Sequence, residues 1–124
     1  ELADHPTAYK AHFNLGRLLA GLGDKAGAAA ELQAAVTANP EFGVGHLFLA
    51  QALLDQGDLA AATREARRGL TLGGAGGFQP LGHYVLADVL ERQGRRADAA
   101  VELHLGREAE ARAKGRSGPA AGGS

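Results

Sequence analysis

The chain has 124 residues, with thirteen Lys and Arg against fourteen Asp and Glu and no cysteine, methionine or tryptophan. A net charge of -1 gives no electrostatic pull toward nucleic acid or an anionic membrane surface, and the missing cysteines exclude disulfides, thiolate metal sites and cysteine nucleophiles. No apolar run approaches the roughly 20 residues of a membrane-spanning helix, so the expectation is a water-soluble, cytoplasmic single domain without membrane insertion.

Taken in chain order, His5-Pro6 comes first and lies 34 residues before Asn39-Pro40. Residues 1–8 therefore read as the end of a preceding repeat unit, and the chain as the carboxy-terminal part of a larger protein. The phrase "AHFNLGRLLAGLGD" (11–24) follows and returns as "GHLFLAQALLDQGD" (45–58) and "GHYVLADVLERQGR" (82–95). His12, Leu15, Gly16, Leu19, Gly23 and Asp24 recur 34 residues later as His46, Leu49, Ala50, Leu53, Gly57 and Asp58. The third copy lies 37 residues further on, as His83, Leu86, Ala87, Leu90 and Gly94, with Arg95 in place of the aspartate. The three added residues fall in "GGAGGFQP" (73–80), a connector where extra length costs little loop entropy.

In each copy the leucines and small residues stand three and four apart, which places them on one face of a helix. Glycine at 23, 57 and 94 marks a helix end in the left-handed conformation. A second helix follows, carrying Ala28, Leu32, Ala35 and Val36, then Ala62, Ala66, Gly69 and Leu70, then Ala99, Leu103, Gly106 and Arg107. The unit is thus a helical hairpin whose small residues allow close packing and whose outer faces need a neighbour. Arg107 stands where Val36 and Leu70 would face a further hairpin, so the last helix reads as a cap. Residues 115–124, ending in "GPAAGGS", have too little to bury and are expected to be disordered.

Period, glycine turn, paired small residues and the closing Asn39-Pro40 together resemble the tetratricopeptide repeat family over about residues 1–114, with histidine where the family commonly has tryptophan. The resemblance implies an all-α fold, helical hairpins stacked as a right-handed superhelix, with units at about 9–42, 43–76 and 80–113. It also implies a concave groove lined by the first helices. The residues on that side are Lys10, Phe13, Asn14, Arg17, Val44, Leu47, Gln51, Leu54, Leu81, Tyr84, Asp88 and Arg92. Phe13, Leu47 and Tyr84 offer apolar anchor points, and Lys10 and Arg17 at one end oppose Asp88 and Glu91 at the other. Some family members clamp an acidic chaperone tail with lysine, asparagine and arginine. Here the matching places hold Phe13, Arg17, Phe48, Leu81 and Val85, so that role is disfavoured.

His12, His46 and His83 raise a metal site, but equivalent positions of stacked hairpins lie about 10 Å apart or more, whereas ligands sit about 2 Å from a shared metal. The expectation is a half-buried ring bonded to backbone or carboxylate, with no metal and no cofactor. "GGAGG" has neither the preceding strand nor the following Lys-Ser/Thr of a phosphate loop, and Ser117 and Ser124 lie in the tail, away from any triad context. With no catalytic apparatus visible, the function expected is a protein-interaction module that binds a peptide or partner helix in the groove. The alternatives are self-assembly through exposed end helices, including the Val101 and Leu105 stripe, and a structural or regulatory extension of an upstream catalytic domain.

Overall fold

The computed structural model describes residues 7–73 and 76–117. Among these residues six α-helices follow one another: α1 (Ala8–Gly21), α2 (Lys25–Ala38), α3 (Gly43–Asp55), α4 (Leu59–Leu72), α5 (Gln79–Arg92) and α6 (Arg96–Ser117), with a 3-10 turn at Gly76–Phe78 before α5. Among the described residues there is no strand and no helix long and apolar enough to cross a membrane. The helices pair as α1 with α2, α3 with α4 and α5 with α6, and each pair packs on the next in chain order.

The three hairpin turns are built alike. Gly23, Gly57 and Gly94 hold φ of 86°, 87° and 78°, the left-handed region that glycine enters without steric cost. The next backbone N–H, of Asp24, Asp58 and Arg95, then donates back to the carbonyls of Leu19, Leu53 and Leu90 at 2.9 Å in each case. This closes the first helix of each hairpin and satisfies a carbonyl that would otherwise lack a partner. In the first two hairpins the same aspartate opens the second helix: Asp24 accepts from the Gly27 N–H at 2.9 Å and Asp58 from the Ala61 N–H at 3.1 Å. Arg95 cannot accept, and instead its guanidinium bonds Asp98 in the first turn of α6 at 2.8 and 3.1 Å.

Burial is organised by junction between hairpins. One core joins the first and second hairpins through Phe13, Leu32, Ala35, Val36 and Leu49. A second joins the second and third through Leu54, Ala62, Ala66, Val85 and Leu86. Small residues set the spacing within a hairpin. A Cβ added at Gly16 would stand 2.7 Å from Leu32 Cγ, so α1 and α2 touch where only hydrogen fits.

One expectation about the ends needs adjusting. The chain from 115 onward was expected to be disordered, yet α6 runs through Ser117; it has 22 residues where α2 and α4 have 14. Ala109 closes its first fourteen residues and is buried, and the first added residue, Glu110, accepts from the Tyr84 hydroxyl at 2.6 Å. The rest of the expected tail, 118–124, and the expected end of a preceding unit as far as residue 6 lie outside the described residues.

Candidate interaction surface

The first helices of successive hairpins touch each other, α1 against α3 and α3 against α5, and the expected groove residues are distributed over these three helices. Lys10, Asn14 and Arg17 stand exposed along α1, Gln51 half-buried on α3, and Asp88 and Arg92 exposed on α5. Val44 and Leu81 are half-buried against the first and second cores respectively.

Leu47 and Leu54 are not part of this surface. They are 0% and 2% exposed and belong to the interior. Leu47 lies against α4 and α5, where Cβ atoms at Gly69 and Gly82 would meet its Cδ2 at 2.5 and 2.8 Å. The position that Phe13, Leu47 and Tyr84 share is a junction position that the following hairpin covers. Phe13 is accordingly buried too, and Tyr84, in the last hairpin, remains half-buried. One residue on, about 100° further round the helix, Phe48 is the ring that α3 presents.

Phe48 belongs to a chain of five aromatic rings, each meeting the next edge to face. Tyr9 meets Phe42 at 4.9 Å between centroids, Phe42 meets Phe13 at 5.0 Å, Phe13 meets Phe48 at 5.3 Å and Phe48 meets Phe78 at 5.2 Å. The offset geometry brings a positive ring edge to a negative ring face. Phe78 comes from the connector, so the inserted segment does more than span a gap: its 3-10 turn sets a ring beside the first junction.

Arg17 lies over three of these rings, 5.6 Å from the centroid of Phe13, 5.0 Å from Phe48 and 5.9 Å from Phe78. The ring quadrupoles attract the cation and hold its plane, while no carboxylate among the described residues pairs with it. Lys10 is placed similarly, 5.9 Å over Tyr9. The acidic residues expected to oppose these cations, Asp88 and Glu91, have basic neighbours. Asp88 pairs with Arg92 at 2.9 Å, and Glu91 lies 3.9 Å from Arg96. Lys10 and Arg17 on α1, by contrast, have no ion-pair partner among the described residues.

The recurring histidines pair with carboxylates. His12, His46 and His83 bond through Nδ1 to Glu31, Glu65 and Glu102 at 2.8, 2.6 and 2.9 Å, each partner 19 residues ahead in the second helix of the same hairpin. The glutamates escaped the sequence reading although they recur at the same offsets of 34 and 37. The rings thus tie the two helices of a hairpin together, and among the described residues no cluster of three or more His, Cys, Asp or Glu is placed to hold a metal ion.

Stacked helical hairpins of one repeated pattern, with an aromatic and cationic face on their first helices, define an all-helical repeat array. Two family models, each described as tetratricopeptide repeat, match the chain, one over residues 1–41 and the other over 43–68 and 80–104. The chain belongs to the tetratricopeptide repeat family. Repeats of this family are in general protein–protein interaction modules. No curated protein matches the chain.

Proposed function

We propose that the chain is a binding module that receives a peptide or partner helix along the side formed by α1, α3 and α5. One observation carries the reading: the Arg17 guanidinium is held by three rings while its hydrogen-bond donors pair with no carboxylate of the chain's own described residues. A cation fixed in place but left unpaired loses little freedom when it meets an acidic partner, which favours affinity. The test immobilises the chain beside an Arg17→Glu variant and identifies by mass spectrometry what each retains from lysate of the source cells. Proteins kept by the native chain and lost by the variant support the reading. Identical retention removes it.

A second reading, self-assembly, draws on one contrast. Leu15 and Leu18 on α1 are 41% and 59% exposed, while their counterparts one period on, Leu49 and Ala52, are 1% and 4% exposed. That face of α1 suits a second helix of the α2 or α4 kind, and sedimentation velocity over a hundredfold concentration range tests whether another copy supplies it.

A further inference from the structure

The internal repeat offers its own control for the junction between the first and second hairpins. In the second junction the positions Leu54 and Leu59 are filled by large apolar side chains that join the core. One period earlier the same positions hold Ala20 and Lys25. In place of the missing leucines there is a cavity of about 110 Å³, walled by Ala20, Ala28, Phe48 and Ala52 and opening beside Arg17 and Lys25. Neither cation has an ion-pair partner among the described residues. Asp55 also reaches this opening, but its carboxylate is engaged by the Gln51 side-chain amide at 2.9 Å.

We propose that this cavity takes an aliphatic side chain of a bound peptide, with an acidic side chain beside it in that peptide received by Arg17 and Lys25. The inference rests on reading the α1–α3–α5 side as the binding face. The size argues for an aliphatic group, since the cavity is smaller than the roughly 150 Å³ that admits a benzene ring. The walls argue for an apolar one, because they supply methyl groups and a phenyl ring. The acidic neighbour follows from charge, since Arg17 and Lys25 stand at the mouth against the single carboxylate of Asp55 and leave it net positive. A leucine from the ligand would then complete the first junction as Leu54 completes the second.

The experiment titrates the ¹⁵N-labelled chain with acetyl-Glu-Leu-Glu-amide and follows backbone amide shifts. Expected are saturable shifts at Ala20, Gly23, Lys25 and Ala52, absent with acetyl-Glu-Gly-Glu-amide and with acetyl-Lys-Leu-Lys-amide. Ala20→Leu, which places in the first junction the residue that the second already holds, loses the shifts and melts no lower than the native chain. Arg17→Glu, which leaves the apolar walls in place, loses them as well. The proposal is overturned if the native chain shows no shifts, if a control peptide matches the Glu-Leu-Glu peptide, or if either variant still responds. Arg17-dependent capture of a partner without a response to the tripeptide would leave the binding-face reading standing and remove this one.

Discussion

His46 and Glu65 lie 2.6 Å apart across the second hairpin, and the other ring nitrogen of His46 meets the Pro40 carbonyl at 2.8 Å. A carbonyl only accepts, so Nε2 donates to it, and one proton lies between Nδ1 and the carboxylate. The imidazole therefore joins α3, α4 and the chain entering α3 at a single buried point. Glu65→Ala leaves that donor or acceptor unmet, and the expected loss is about 2–4 kcal/mol. The pairs His12–Glu31 and His83–Glu102 are more accessible to water, so Glu31→Ala and Glu102→Ala are expected to cost about 1 kcal/mol or less. Urea denaturation of the three variants checks the ranking, and equal losses would contradict it.

Two glycines of α1 are expected to respond to alanine with opposite signs. Gly16→Ala brings a methyl group against Leu32 and the Ala28 carbonyl, 2.7 and 3.3 Å away. The overpacking costs about 1–3 kcal/mol against a helix-propensity gain of about 1. Nothing lies within 4 Å of a Cβ at Gly21, so Gly21→Ala gains about 0.5–1 kcal/mol. Thermal melts that move in the same direction for both would refute the packing argument.

Helix caps differ between hairpins in a way that can be repaired. Asp24→Ala and Asp58→Ala should each destabilise by about 1 kcal/mol, through loss of the bonds to Gly27 and Ala61. Arg95→Asp should gain a similar amount or slightly less, because it restores the missing cap and gives up only an exposed pair with Asp98. The denaturant midpoint of R95D, read against the native chain, decides this.

Tyr84 donates its phenolic proton to Glu110, and that bond, with the burial and negative charge that accompany it, raises its pKa above the usual 10, opposed by the Arg107 charge. A folded value above the unfolded one means that the stabilising contribution is complete below about pH 10 and fades as pH rises through the folded value. In a Tyr9→Phe background, where Tyr84 is the sole tyrosine, absorbance at 295 nm should show late ionisation that Glu110→Gln brings earlier. An unchanged titration would place the cause elsewhere.

The hairpins were legible in the sequence because their determinants are local. Gly23, Gly57 and Gly94 end helices by their own conformational freedom, and Leu15, Gly16 and Leu19 mark a face by spacing alone. The binding face was harder to read, because alignment by period shows which positions share a helical phase but not which ones the next hairpin covers. Phe13, Leu47 and Tyr84 align perfectly, yet two are interior and only the last is spared. Phe78 was hidden for a different reason: it lies in the insertion, outside the period, and its place beside Phe48 depends on how the connector folds. The glutamate partners of the histidines carried a usable signal in their constant spacing of 19 residues.

The hole beside Ala20 also bears on how the array comes apart. In a stacked array each unit is held mainly by its neighbours, so partial opening follows the weakest boundary. The first hairpin has leucines facing water on one side and an unfilled boundary on the other, whereas the second is gripped by Leu54 and Leu59. Amide protons of α1 and α2 should therefore exchange with solvent ahead of those of α3 and α4. An occupant of that boundary would slow exchange in the first two helices alone, so that recognition is registered as the tightening of one end of the molecule.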